Sequence, residues 1–277
     1  MDNRQERLNI FEGTRQLCQN SDKLKSSIEI SRKGQKIYWE NEEIHFDKPR
    51  FSSPAEIVLS QKKTVQAARQ YAEAGKRVCI LNFASSVSPG GGVVTGAQAQ
   101  EESICRVSTL YFALSDSNTA GIFYERHWEM IKSNKMNRRN TDDVIYTPDI
   151  MVVRDDGNGE KELPENEWYQ LDVITCAAPD LRVTGDKTEY SPSEDELFAE
   201  LRKRWRCILA AGAKNEADVL ILGAFGCGVF ANPPHLVAQS FCDALKSFEN
   251  YFETIEFAIF SGKADNINYR SFEEVLK

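Results

Sequence analysis

Several things are scarce in this 277-residue sequence, and each scarcity excludes something. Histidine occurs three times, at His45, His127 and His235, never at a metal-ligand spacing, and no Cys-x-x-Cys occurs, so no metal site is expected. The seven cysteines, Cys18, Cys79, Cys105, Cys176, Cys207, Cys227 and Cys242, are odd in number, and four fall within or beside apolar or helical runs. Reduced thiols in a cytoplasmic protein are the expectation. No apolar run approaches the roughly 18 residues of a membrane span. The opening Met1-Asp-Asn-Arg-Gln-Glu-Arg7 is polar and unlike a secretory leader. Positive charge is in deficit: 34 Lys plus Arg against 42 Asp plus Glu gives 34 − 42 = −8. General nucleic-acid binding is therefore not expected, and any polyanion must be held by local loops. Internal repeats and low-complexity tracts are missing too.

What is present suits a folded α/β enzyme. Hydrophobic residues make up 41%, enough for a core. Residues 1–54 read as an N-terminal extension packed on the main domain: a helix over Arg4–Asn20, then a hairpin of Ser27–Ile30 and Lys36–Trp39 around Lys33-Gly34. Residues 55–277 read as the main domain. Strands are expected at Ala55–Leu59, Val78–Phe83, Val144–Tyr146, Ile150–Arg154, Leu171–Cys176, Val219–Leu222 and Ile255–Ser261. Helices are expected at Lys62–Ala74, from Gln100 to about Leu114, and at Ser193–Ala213, His235–Phe248 and Tyr269–Leu276. Phe123–Met136 is mixed, the charged stretch 155–162 is a hairpin tip, and Arg182–Pro192 is a loop. Alternating strands and helices predict a three-layer α/β/α domain.

The chain is organised around Pro89-Gly-Gly-Gly-Val-Val-Thr-Gly-Ala-Gln-Ala-Gln-Glu-Glu102, which joins the Val78–Phe83 strand to a helix. Consecutive glycines let backbone approach a ligand and turn several N–H groups toward an anion. No Gly-Lys-Ser/Thr follows, so this is not a Walker loop. Glu101 and Glu102 then stand in a first helical turn. The bland reading is two acids complementing a helix dipole. The functional reading is acid/base chemistry beside a phosphate, which suggests a nucleotide-linked sugar. Consecutive helical residues point ~100° apart, so the two acids do not share one task.

A second loop, Gly223-Ala-Phe-Gly-Cys-Gly-Val-Phe230, also follows a strand and precedes a helix. It is either a simple turn or a diphosphate cradle with an aromatic for a base. Ligands bind beyond the carboxyl ends of strands in such sheets, so the two loops can converge on one ligand. Asn82, at an apolar strand end, either caps the adjacent loop or meets sugar hydroxyls, the second being favoured. The three histidines read as structural or surface residues.

Asn82-Phe-Ala, Pro89-Gly-Gly-Gly92, seven residues and Gln100-Glu-Glu102 together resemble the microbial-type poly(ADP-ribose) glycohydrolases, a branch of the macrodomain superfamily. Thr175-Cys-Ala-Ala-Pro179 and Gly223–Phe230 with Ala231-Asn-Pro-Pro234 resemble later parts of that family, and the likeness spans roughly residues 55–265. One departure is Ser85-Ser-Val-Ser88 before the glycines. The resemblance implies a macrodomain-like fold with a mixed central sheet. It implies Glu102 as catalytic acid/base, with Glu101 and Asn82 on the adjoining ribose. Gln100, Gly90, Gly91, Gly92, Gly226, Cys227, Gly228 and Val229 would bind substrate, the glycines around its diphosphate. Phe230 would stack near adenine or the adjoining ribose. It implies no cofactor and no metal, unlike the dinuclear magnesium ADP-ribosylhydrolases. Poly(ADP-ribose) or ADP-ribosylated protein would be substrate and ADP-ribose product, for a monomer with no membrane partner. A non-catalytic ADP-ribose reader, a hydrolase of another ADP-ribose conjugate, and a structural α/β domain remain as alternatives.

Overall fold

The computed structural model describes residues 3–182, 190–262 and 264–277. The chain runs α1 (Asn3–Asn20), α2 (Asp22–Gly34), β1 (Lys36–Tyr38), β2 (Glu56–Ser60), α3 (Thr64–Glu73), β3 (Val78–Phe83), α4 (Gln100–Val107), α5 (Leu110–Leu114) and α6 (Thr119–Lys132). It continues with β4 (Val144–Val152), β5 (Arg154–Asp155), β6 (Lys161–Glu162), β7 (Tyr169–Cys176), α7 (Glu194–Lys214), β8 (Val219–Leu222), α8 (Pro234–Leu245), β9 (Thr254–Ala258) and α9 (Ile267–Leu276). Of the loop expected over Arg182–Pro192, residues 183–189 lie outside the described residues.

A seven-stranded sheet has the order β1-β4-β7-β3-β8-β9-β2. β1–β4 and β4–β7 pair antiparallel, and the other neighbours are parallel. The expected mixed sheet between helical layers is therefore present. Alternation along β3 serves both faces. Cys79 and Leu81 join a core with Trp205, Phe241 and Phe257 under α7–α9, whereas Val78 and Ile80 join Val65, Ile104, Val107 and Phe123 on the other side. Ser193 caps α7 reciprocally with Glu196, as its Ser-x-x-Glu spacing predicts.

Three local expectations are corrected. The hairpin over Ser27–Ile30 and Lys36–Trp39 does not form. Leu24, Ile28 and Ser31 make a buried stripe at helical spacing, so Ser27–Ile30 lies inside α2, and only Lys36–Tyr38 is extended, as an edge strand of the main sheet. The helix from Gln100 breaks at Ser108, whose backbone is extended and bridges Val152, while the Thr109 N–H donates to the Met151 carbonyl. Last, Val144–Tyr146 and Ile150–Val152 belong to one bulged strand, β4, rather than two, and Arg154 starts β5 of a separate two-stranded sheet. The register of β4 shifts between Thr147 and Ile150. At that bulge Asp149 takes φ +55°, its N–H donates to Asp172 and its carbonyl accepts from Ser27 and Ser31 of α2.

Candidate active site

A cleft of about 1400 Å³ lies over the C-terminal ends of β7, β3, β8 and β9. The glycine segment makes its wall. Gly91 sits at φ +57°, and Gly92–Gly96 close a turn in which buried Val93 is the apolar anchor. That folding brings the Gly92 N–H to Glu102 Oε1, at 2.8 Å. Glu102 is 6% exposed, and its Oε2 is buried with no hydrogen-bond partner among the described residues. One oxygen of Glu102 is thus held while the other is uncommitted at the cleft wall.

Glu101 is placed differently. Its Oε1 accepts from the Asn82 amide at 3.2 Å and its Oε2 from the Ser85 N–H at 2.8 Å. Burial pushes its pKa up to about 8, the Ser85 and Asn82 hydrogen bonds oppose that, and the Glu102 charge adds to the rise. The two neighbours thus have different hydrogen-bond partners, in line with their angular separation on α4.

Two residues expected on the substrate spend their amide donors on the protein, Gln100 while lining the cleft and Asn82 while fully buried. Asn82 is fully buried and divides its amide N–H groups between Glu101 and Thr175. Gln100 donates to the Leu81 carbonyl and the Thr64 hydroxyl and accepts from the Phe83 N–H, so both of its donors are spent on the protein. Gly91 and Gly92 line the cleft, whereas Gly90 is packed beneath it against Tyr111 and Cys105.

In the second loop Gly226, at φ +72°, passes so close to Asn232 that a Cβ would stand 2.5 Å from its Nδ2. That amide donates to the Pro179 and Gly226 carbonyls, stapling the loop to the end of β7. Gly228 has open space around its Cα and Val229 is exposed, both on the cleft. Cys227 turns to the core, where burial pushes its thiol pKa up. The Phe230 carbonyl accepts from the Leu181 N–H, and the Arg182 guanidinium lies 5.1 Å from the Phe230 ring centroid.

Sequence reasoning missed several residues here. Ser85 holds Glu101 through its N–H, which no side-chain pattern signals. Phe260 presents a 56% exposed ring to the cleft, with Lys63 5.8 Å from its centroid. Its position just after β9 was a usable signal, because ligands gather at such strand ends. His127 is structural, as expected, yet fully interior: Nδ1 faces the Ser86 carbonyl at 2.8 Å and Nε2 faces Asp143 at 2.7 Å. His45 and His235 are exposed. Among the described residues no group of three or more His, Cys, Asp or Glu side chains is placed to hold a metal ion.

The family model described as "Microbial-type PARG, catalytic domain" matches residues 5–155, more than half of the chain. The chain belongs to this family. Among solved structures, the poly(ADP-ribose) glycohydrolase (PARG) of Thermomonospora curvata is 28% identical, with 97% of this chain and 98% of that one covered at a TM-score of 0.84. The same enzyme bound to the inhibitor ADP-HPD aligns with a TM-score of 0.79 at 27% identity, with the same coverage. The Deinococcus radiodurans PARG in complex with ADP-ribose is 30% identical, with 90% of this chain and 97% of that one covered and a TM-score of 0.77. No curated protein matches. The PARG family match takes in β3, the first glycine loop, Glu101, Glu102 and β4. The likeness of the whole fold extends to nearly the full length of each structure.

Proposed function

We propose that this chain is a poly(ADP-ribose) glycohydrolase that cleaves the ribose–ribose O-glycosidic bond and releases ADP-ribose. The observation that carries this is Glu102, with one oxygen fixed by the Gly92 N–H and the other unpartnered on the wall of a cleft between two glycine loops. Glu102 donates its proton to the leaving oxygen as the C–O bond breaks and positive charge develops on the ribose. The resulting carboxylate takes a proton from water as the water oxygen bonds to the anomeric carbon. The products are ADP-ribose and a polymer one unit shorter. Each step uses only the chain, the substrate and water.

Glu101, with its pKa near 8, is mostly protonated at neutral pH. It serves as a neutral hydrogen-bonding partner for a ribose hydroxyl and leaves Glu102 without a full like charge beside it. The ADP-ribose unit runs across the strand ends. Its ribose lies at Glu102 after β3, its diphosphate on Gly226, Gly228 and Val229 after β8, and its adenine on Phe260 after β9. The sheet order β3-β8-β9 supports this straight run, and the exposed Phe260 ring supplies the platform. Phe230, at the end of the second glycine loop and against Leu181 beyond β7, then lies by the scissile ribose. Cytoplasmic residence accords with the seven free cysteines.

The test is release of ADP-ribose from poly(ADP-ribosyl)ated protein by the native chain and by Glu102→Gln. Release by the native chain alone supports this reading. Binding of ADP-ribose without release by either points to a reader, and equal release by both removes Glu102 from the mechanism.

A further inference from the structure

The cleft has two aromatic ends. At about 1400 Å³ it exceeds the ~300–1,000 Å³ of an ordinary small-ligand site. The run from Glu102 through the second glycine loop to Phe260 uses the β8 and β9 side. On the β7 side of β3, over the C-terminal end of β7 and the start of β4, lies a wing framed by Phe230, Arg182, Asp180 and Asn140.

This wing is built rather than incidental. Asp180 grips Arg182 through both carboxylate oxygens, at 2.9 Å to Nε and 2.6 Å to Nη2, and accepts from its backbone N–H as well. The guanidinium is thereby fixed against the Phe230 ring. The backbone that carries the ring is tied down by the Leu181 N–H, which donates to the Phe230 carbonyl. Asn140 holds the Ala178 carbonyl and accepts from the Ser86 hydroxyl, so the wing is continuous with the loop that positions Glu101. With its charge offset by Asp180, Arg182 is a poor point charge for a phosphate. It is a planar, weakly hydrated ledge on an aromatic, a surface that stacks a purine.

We propose that this wing is a subsite for the adenosine of the leaving unit, recognised by stacking on the Arg182–Phe230 ledge. In the polymer the oxygen that Glu102 protonates belongs to the adenosine ribose of the neighbouring unit. A base attached to that ribose extends beyond the bound ADP-ribose over the end of β7, where Phe230, the last residue of the second glycine loop, and Arg182 form the ledge. The enzyme then grips two adenosines, Phe260 taking one and the ledge the other. Its preferred substrate is polymer over conjugates whose leaving group carries no base. The assignment rests on the glycohydrolase reading above.

The test compares the native chain with Arg182→Ala and Arg182→Lys on three measurements: KM for ADP-ribose release from a short poly(ADP-ribose), the same for an ADP-ribose conjugate of a small alcohol, and the Kd of free ADP-ribose. Losing one base stack raises the polymer KM about tenfold in both variants. The KM of the alcohol conjugate and the Kd of ADP-ribose stay within about twofold, which also shows that the variants fold. An unchanged polymer KM overturns the subsite. So does an ADP-ribose Kd weakened in step with the polymer KM, because the ledge would then hold the released unit. Native behaviour of Arg182→Lys overturns stacking as the mode of contact. Failure of the native chain to release ADP-ribose from polymer is a separate result and removes the glycohydrolase reading itself.

Discussion

Gly91 and Glu102 stand so close that a β-carbon on the glycine would lie 2.5 Å from Glu102 Oε1, and only 2.9 Å from Glu101 Oε2. The glycine loop and the paired acids are therefore one object. The loop is free of side chains because the two carboxyl groups occupy the space where one would be.

Gly91→Ala tests this. The backbone is left-handed there, which costs an alanine about 1–2 kcal/mol, and the new methyl displaces both carboxyl groups. A displacement of roughly 1 Å at a catalytic group is enough for a hundredfold loss of kcat. Expected are a kcat about 100-fold down and a modestly lower melting temperature. Native kcat in a folded Gly91→Ala would contradict the packing.

Glu102→Gln removes the titrating group and keeps its shape. General acid/base catalysis is worth typically about 10²–10⁴ in rate, so kcat should fall by that range. Titration calorimetry with ADP-ribose should give a Kd close to native, because the Gly92 N–H still finds the amide oxygen.

Glu101 makes stability fall with rising pH. Its pKa rises from 4.5 in the unfolded chain to about 8 in the fold, so between those values the native state binds more protons than the unfolded one. The stabilising contribution is complete below pH 4.5 and is lost as pH passes through 8. Glu101→Gln cannot ionise, and its amide can donate to Asn82 Oδ1, which is buried without a partner, once the Asn82 amide turns over. The melting-temperature advantage of Glu101→Gln over native should therefore widen from pH 4.5 to 8. A constant difference over that window would refute the raised pKa.

Gln100 acts as a clamp between α4 and β3. Gln100→Leu leaves the Phe83 N–H and the Leu81 carbonyl without this partner, at about 1–3 kcal/mol for a buried polar group left unmet. Chemical denaturation should show that loss. A Kd for ADP-ribose close to native would separate the clamp from direct ligand contact.

His127 fastens the loop before the glycines from below. His127 and Asp143 side chains are 1% and 0% exposed. Replacing His127 with Ala leaves Asp143 Oδ2 and the Ser86 carbonyl without this partner, while Asp143 Oδ1 keeps the Glu40 N–H, at about 1–3 kcal/mol for a buried polar group left unmet. Urea unfolding of the variant would check the size.

The alternation of strands and helices was legible from local pattern, because β8 is wholly apolar, β3 is apolar but for Asn82, β7 carries an apolar Val173-Ile174 centre, and a Ser and Glu stand at the start of α7. The acids and both glycine loops were legible for the same reason: they are contiguous in sequence. What stayed hidden depends on partners far along the chain. Ser108 leaves the helix because Val152 and Met151 take its neighbours into pairing. Ser27 and Ser31 point inward because the carbonyl at the β4 bulge receives their hydroxyls. Asn82 and Gln100 looked like ligand contacts by position, yet their amides are consumed by Thr175, Thr64 and backbone. Phe260 carries no motif at all and is found only by where β9 ends.

The edge strand β1 has one further consequence. Its partner is β4, whose residues are synthesised more than 100 positions later, as the pairing of Lys36 with Tyr146 shows. Helix α4 is likewise secured from both directions, through the buried Arg106–Glu160 pair and the Thr14 hydroxyl on the Arg106 carbonyl. The first 140 or so residues therefore contain the acids and their local partners, Asn82, Ser85 and Gly92, but lack β4 and Glu160, which anchor β1 and α4. The cleft itself is complete only once the residues after β7 and the second glycine loop, which line it opposite Glu102's segment, are present. A nascent chain stalled before that point is an inert one.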